Sequence, residues 1–396
     1  MTGPRLGDRS LWSTLSATAY LNHAGIAPLS DPARRAMEHA IADSARRGSL
    51  AFGDRVAERE VLRSRLARLL GERESEIALM PNTTYGLGNL ALALHWRAGD
   101  RILVWDGEYP TNVTVFQRAA ELFGLSLTFL PTRDLSLLGG ADLGALEREL
   151  EKGRVRLCAI SAVQFQTGVR VPIAEIAALC HAHGAQLIVD AVQAAGVVPL
   201  DVRALGIDYL AAGGHKWLLG ADGAGVLYVA AEHLPTLRPP ITGAMSYVGA
   251  MDMLVAGPGH LSYQRPLRDD AQVFEGGMFS SASYAALSAS LELILALGVP
   301  EIHHHVNRYL DVLEPAFVAR GFVSMRLPDA ARRSCTLSLR PPAPHSAPAL
   351  ASALAERGIT SACPDGLLRV SPHWPNHVAE ISHVLAALDE ALAAGA

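Results

Sequence analysis

The sequence predicts an α/β protein: a mostly parallel sheet with helices on both faces, followed by a smaller α+β lobe. Three observations carry this expectation. Short apolar runs alternate with helix-period segments from Ile77 to Tyr228, the rhythm of βα units in a parallel sheet. The polar clusters of that region come after the apolar runs, on the side where open parallel sheets bind ligands. Beyond about Leu237 the alternation stops, and irregular Gly-rich sequence leads into shorter, mixed elements. The expected organisation is a segment at 1–30 that joins the small domain, a large domain at 31–245, and a small α+β domain at 246–396 that begins with an interfacial loop.

Taken in order, Tyr20-Leu21-Asn22-His23-Ala24-Gly25 reads as a short strand entering a turn. Ser30-Asp31-Pro32 starts a helical stretch that runs through Arg68 and closes at Gly71. Ile77-Ala78-Leu79-Met80 is a short strand, and Pro81-Asn82-Thr83-Thr84-Tyr85-Gly86 is a polar turn before an Ala/Leu-rich helix from Leu87 to His95. Strand, polar turn and helix N-terminus together suit a phosphate, although Thr83 or Thr84 could equally be an ordinary helix cap. Arg101–Asp106 is the next strand, with Glu108-Tyr109-Pro110-Thr111-Asn112 at its end. Leu125–Leu130 alternates like a strand near a sheet edge. Val155–Ser161 is another strand, ending in the loop Gln164-Phe165-Gln166-Thr167-Gly168. The helix Ile173–His183 precedes the buried strand Gln186–Asp190, and Gly223–Val229 closes the series. Further on, a long helix is expected over Tyr284–Leu297, then strands at Cys335–Arg340 and Leu367–Ser371.

Composition bounds the function. With 396 residues, half of them hydrophobic, the chain can bury a sizeable core, and a net charge of -5 gives no bias toward nucleic acid. Cys158, Cys180, Cys335 and Cys363 lack paired metal or disulfide spacing, which fits a reducing compartment. No apolar run reaches the roughly 18 residues a membrane helix needs. A soluble, cytoplasmic protein is expected, with neither membrane nor nucleic acid as partner. His303-His304-His305 lies in a helical pattern, where successive residues diverge by about 100° and cannot share one ion, so a solvated face is expected and no metal site.

The chemistry gathers around Gly213-Gly214-His215-Lys216-Trp217. A lysine between glycines and a tryptophan, just after the apolar run Tyr209–Ala212, is oddly placed for a surface charge. Asp190 ends the strand before it. A lysine able to form a Schiff base, with a buried acid to keep a ring nitrogen protonated, is what pyridoxal 5'-phosphate (PLP) chemistry requires.

Asp190-Ala191-Val192-Gln193 together with Gly214-His215-Lys216, 26 positions after the acid, resembles PLP enzymes of fold type I. Within them the chain is similar to the class V aminotransferase and cysteine desulfurase-like group, which includes isopenicillin N epimerase. The resemblance implies a large domain with a mostly parallel seven-stranded sheet and a homodimer with shared active sites. It implies that Lys216 carries PLP and later moves the Cα proton of a small amino-acid substrate bound as an external aldimine. Asp190 would face the pyridine nitrogen and Gln193 the phenolic oxygen. Thr83, Thr84 and His215 would hold the phosphate, and Tyr109 would stack on the ring. Arg369, in Leu368-Arg369-Val370-Ser371, would bind the substrate carboxylate. Asn112 and Gln164 would face the substrate edge, with His23 and Arg55 as further lining.

Two departures from the family pattern matter. The cross-subunit loop usually reads Gly-Thr-Pro-Asn; here Gly276-Gly277 is followed by Met278 and Phe279, leaving Ser280 and Ser281 for the phosphate contact. Desulfurases carry a catalytic cysteine on a long mobile loop, whereas Cys363 stands six residues before Arg369, too close for a persulfide arm. Desulfurase chemistry is therefore disfavoured. The expectation is an aminotransferase of the class V type, with a Cβ or C–S lyase or an epimerase as the alternative on the same scaffold. A non-catalytic protein that kept the fold is the alternative of another class.

Overall fold

The computed structural model describes residues 3–137, 140–278 and 280–395. Its chain order is β1 (Ala19–Tyr20), α1 (Asp31–Arg47), α2 (Phe52–Leu70), β2 (Ile77–Met80), α3 (Thr83–Ala93), β3 (Arg101–Trp105), α4 (Thr111–Phe123) and β4 (Ser126–Leu130). It continues with α5 (Gly144–Glu151), β5 (Val155–Ser161), α6 (Ile173–Ala182), β6 (Gln186–Asp190), β7 (Tyr209–Gly213), β8 (Gly225–Val229) and the short α7 (Asp252–Val255). The last part holds α8 (Ser281–Leu297), α9 (Val299–Val318), β9 (Val323–Ser324), β10 (Leu337–Arg340), α10 (Ala347–Glu356), β11 (Ile359–Thr360), β12 (Leu368–Val370) and α11 (Ile381–Ala393).

The central sheet has seven strands in the order β2-β8-β7-β6-β5-β3-β4. Only β8 runs antiparallel to its neighbours β2 and β7. The expected mostly parallel seven-stranded sheet is thus present, and β4 is its edge strand as the alternation of Leu125–Leu130 predicts. β5, β6 and β7 are apolar along almost their whole length and buried throughout except Arg156, because helices cover both faces. Two apolar cores result, one on each face of the sheet.

The helix pair predicted through Arg68 and closed by Gly71 is present as α1 and α2, which meet at Gly48–Ala51. α3 starts at Thr83, four residues earlier than predicted, because the Asn82 side chain caps it by accepting from the Tyr85 amide at 2.8 Å. α8 also starts early, capped by Ser280. It packs along α1 and α2. In front of it, Glu275 is buried and accepts from Arg59 at 2.5 Å, from Arg63, and from the Leu79 amide at 2.7 Å. A carboxylate with two guanidinium partners and a backbone donor is fully satisfied, and it ties the segment before α8 to α2 and β2.

The smaller lobe contains the antiparallel strands β12-β10-β9. The N-terminal segment joins it: β1 pairs in parallel with β11, and Asn22 bridges Ser371. This pairing brings the His23–Ala27 turn beside the carboxyl ends of the sheet strands, where the Ala27 amide donates to the His215 carbonyl at 2.8 Å. No single helix among the described residues is long and apolar enough to cross a membrane. The His303–His305 run is not a solvated face. His305 is buried and its Nε2 lies 2.8 Å from the Asn376 carbonyl, while His304 is exposed, so the helical divergence sends neighbours to opposite environments.

Candidate active site

Five strand ends meet at one cavity of about 530 Å³, lined by residues that include Thr83, Thr84, Tyr109, Asp190, Gln193, His215, Lys216 and Arg369. The parallel register explains the gathering. Ser161 on β5 lies beside Asp190 on β6, and Asp190 lies beside Ala211 on β7, so side chains that follow these ends share one edge.

Asp190 is almost fully buried, and its Oδ1 accepts from the Val192 amide at 2.9 Å. Burial pushes its carboxyl up to about 7; the nearby Glu108 adds to this, and Val192 and Lys216 oppose it. Lys216 makes no ion pair among the described residues, and its Nζ stands 5.6 Å from the Tyr109 ring centroid. Burial lowers its pKa, Arg369 lowers it further, and Asp190 works against both. A lysine of this kind spends more of its time as the free amine, the form that acts as nucleophile and base.

The segment carrying Lys216 is held from below. Trp217 is buried, its indole donates to Gln193 Oε1 at 2.8 Å, and Gln193 Nε2 donates to the Ala24 carbonyl at 3.1 Å. One Gln193 N–H remains for a ligand. Gly196 (φ +93°) closes the turn after Asp190, and a Cβ there would stand 2.7 Å from the Trp217 carbonyl.

Thr83 Oγ1 accepts from the Gly213 amide at 2.8 Å, and Thr84 Oγ1 pairs with Thr111 Oγ1 at 3.1 Å. With His215 they surround the N-terminus of α3, whose first amides lack acceptors within the helix. Burial lowers the His215 pKa, and Lys216 adds to this.

Arg369 is buried, and its one recorded side-chain bond runs from Nη1 to the Phe165 carbonyl at 2.8 Å; Nε has no acceptor. Burial alone lowers its pKa to about 10. A desolvated guanidinium without a carboxylate partner among the described residues is a receptor for an anion.

Other predicted residues lie elsewhere. Asn112 is buried under the site, donating to Glu108 at 3.0 Å and Ser161 at 3.4 Å. Gln164 folds its own loop: Oε1 accepts the Gln166 and Thr167 amides at 2.8 and 2.7 Å, and Nε2 donates to the Gly107 carbonyl at 2.8 Å. Its amide is consumed, and the loop instead delivers Phe165. His23 does not line the cavity but sits buried among Tyr20, Trp217 and His373, with Nδ1 at 3.0 Å from the Ser371 carbonyl. Arg55 is on α2, paired with Asp43 at 2.7 Å and Glu58 at 2.6 Å. Ser280 caps α8 and Ser281 begins it, and neither lines the cavity of its own chain. Phe279 lies outside the described residues.

Glu108 is the group to which the sequence assigned no role. Its carboxylate accepts from the Ser161 amide at 2.8 Å, from the Ser161 hydroxyl and from Asn112, which fixes the turn that presents Tyr109. Burial raises its pKa. The available signal was an acid directly after a strand end and before the ring-stacking position.

The family profile of aminotransferase class-V matches residues 19–366. The chain belongs to the class V aminotransferase family. It is a PLP-dependent enzyme of fold type I. It is 25% identical over 378 residues, 95% of each chain, to the uncharacterized aminotransferase YcbU of Bacillus subtilis. It is 34% identical over 250 residues to the cysteine desulfurase of Dickeya dadantii, a match covering 62% of this chain and 57% of the desulfurase; the chain thus spans less than two thirds of that relative. Among solved structures it is similar to the cystine C–S lyase C-DES bound to cysteine persulfide, with 26% identity, a TM-score of 0.85, and 96% and 99% of the two chains covered. A C-DES mutant with glycine covalently linked to PLP is similar at 26% identity and TM-score 0.86, covering 96% and 98%.

The side chains present fit PLP. The buried carboxyl of Asp190 has one recorded hydrogen bond and can receive a pyridinium N–H. Lys216 makes no ion pair among the described residues, and the α3 N-terminus with His215 offers donors that suit a phosphate.

Proposed function

We propose that this family member is an aminotransferase acting on the α-amino and α-carboxyl groups of an amino acid. The observation that carries the reading is the shared cavity of Lys216, Asp190 and the unpaired Arg369. PLP supplies an electron sink for the pair left when the Cα proton departs. Arg369 fixes the substrate carboxylate through its guanidinium fork, which sets the Cα–H bond toward Lys216. The Lys216 amine takes that proton at Nζ and returns one. The buried Asp190 carboxylate would hold a proton on the ring nitrogen, Tyr109 would pack against the ring, and His215 with Thr83 and Thr84 would hold the phosphate. In a homodimer, Ser280 and Ser281 of a second copy would complete the site.

Transamination and β-elimination separate by stoichiometry. Holoenzyme given an amino acid but no oxo-acid acceptor releases at most about one 2-oxo acid per site if it is a transaminase. Continuous ammonia release without an acceptor would establish a lyase instead. The lyase is the second reading, supported by the likeness to C-DES.

Cys363 stands in the turn before Pro364–Gly366, half-buried against the core and outside the cavity lining. Cys363→Ser is therefore expected to keep activity within about twofold, since an exchange away from the reacting atoms removes no transition-state contact. A loss of a hundredfold in steady-state assays would restore the desulfurase mechanism.

Asp190→Asn is expected to change activity and stability in opposite directions. In the apoprotein the folded state holds the Asp190 proton up to about pH 7, whereas an ordinary aspartate releases it near 3.8. Stability present at low pH is thus lost as pH rises from about 4 to 7, by on the order of 4 kcal/mol. Asparagine removes that loss, so thermal melts at pH 8 should show the apo variant more stable than wild type, while kcat falls. A less stable apo variant at pH 8 would refute the assigned burial.

A further inference from the structure

The side chains left after the cofactor positions are assigned say what kind of substrate fits, an inference that rests on the PLP reading above. Around Arg369 the cavity wall is apolar. Phe165, whose carbonyl receives Arg369, stands edge-on to Tyr109 with ring centroids 5.4 Å apart. Pro364 lies in the turn that leads into β12, and Ile26 comes from the N-terminal turn that docks on His215. Ile26 is 58% exposed and Tyr109 48% exposed, and both line the cavity that holds Arg369, so apolar surface is available in it.

Charge points the same way. Among the described lining residues the basic groups are Arg369, Lys216 and His215, all with roles toward the α-carboxylate or cofactor. A side-chain carboxylate would compete for these and would share the cavity with Asp222. A cationic side chain would be placed near Arg369 and Lys216. Asp365, just beyond Pro364, is engaged by Gln166 Nε2 at 2.9 Å and does not line the cavity.

We propose that the substrate is an α-amino acid with a neutral apolar side chain, of the leucine or phenylalanine kind, seated with its carboxylate on Arg369 and its side chain against Ile26, Phe165 and Pro364.

The test uses acids without an α-amino group, which probe the wall without chemistry. Calorimetry on PLP-saturated holoenzyme should show 4-methylpentanoate and 3-phenylpropanoate binding at least about tenfold tighter than glutarate or 6-aminohexanoate. Along a straight-chain carboxylate series, affinity should rise about fourfold per added methylene until the wall is covered. Ile26→Asp should weaken 3-phenylpropanoate about tenfold and leave the visible absorbance of bound PLP unchanged. Equal or tighter binding of glutarate, or no effect of Ile26→Asp, would overturn the proposal. An absorbance titration with amino acids separates the two failures. Changes with aspartate or lysine but not with leucine or phenylalanine would reject the apolar class and leave the PLP reading intact. No change with any amino acid, together with no carboxylate binding, would reject both.

Discussion

Lys216→Ala is expected to abolish turnover by at least about a thousandfold, the effect of removing a positioned nucleophile and proton carrier together. Three properties of this lysine lead there. It lines the cavity, it lacks an ion pair among the described residues, and burial lowers its pKa. The variant should fold, because alanine removes a partly desolvated cation whose environment disfavours its charge. Borohydride treatment of wild-type holoenzyme followed by peptide mass analysis should find PLP fixed to the peptide containing Lys216. The alanine variant should bind PLP reversibly and yield no such adduct. Adduct at another lysine, or activity retained in a folded variant, would remove Lys216 from the mechanism.

Arg369→Gln is expected to raise KM by about 30-fold to several thousandfold, since losing one partner of a desolvated charge pair costs about 2–5 kcal/mol. The guanidinium is buried on β12 with one carbonyl acceptor and an unused Nε. Its remaining N–H donors form a fork suited to a carboxylate, so Arg369→Lys should recover only part of the loss. The same substitution should leave the apoprotein at least as stable as wild type, because the cation has no acidic partner to abandon. Steady-state kinetics and thermal melts on the same preparations check both expectations. An unchanged KM would mean that the substrate carboxylate binds elsewhere.

The predicted residues that line the cavity share one property: a local context that leaves few uses. Asp190 ends a wholly apolar strand, and Lys216 follows another with glycines before it and a tryptophan after. Thr83 and Thr84 begin a helix immediately after a strand. In each case periodicity alone places the side chain at the carboxyl edge of a parallel sheet. Arg369 was legible only through its motif, because nothing local says that Phe165, 204 positions away, would take one of its donors.

The predicted residues outside that cavity share a property as well. Asn112, Gln164 and His23 are polar residues at the edges of the cavity-forming loops, yet Asn112 donates to Glu108, Gln164 binds the Gln166–Thr167 backbone and His23 Nδ1 lies against the Ser371 carbonyl, while Asn112 Oδ1 and His23 Nε2 are buried without a partner among the described residues. Whether an amide or imidazole serves a ligand or its own loop depends on which partners come within about 3 Å, and spacing does not encode that. Arg55 faces Asp43 and Glu58 on neighbouring turns of α1 and α2, an outcome of helix pairing.

The sequence by itself determined the mostly parallel sheet and the placement of Asp190 and Lys216 after apolar strands, because the alternation of strand and helix follows from local apolar pattern. Tertiary structure alone decided that the N-terminal turn carrying Ile26 and the β12 arginine close one cavity over Lys216. Those contacts join segments more than 300 residues apart, through the pairing of β1 with β11 and of Asn22 with Ser371. They depend on packing between lobes, which no local periodicity specifies.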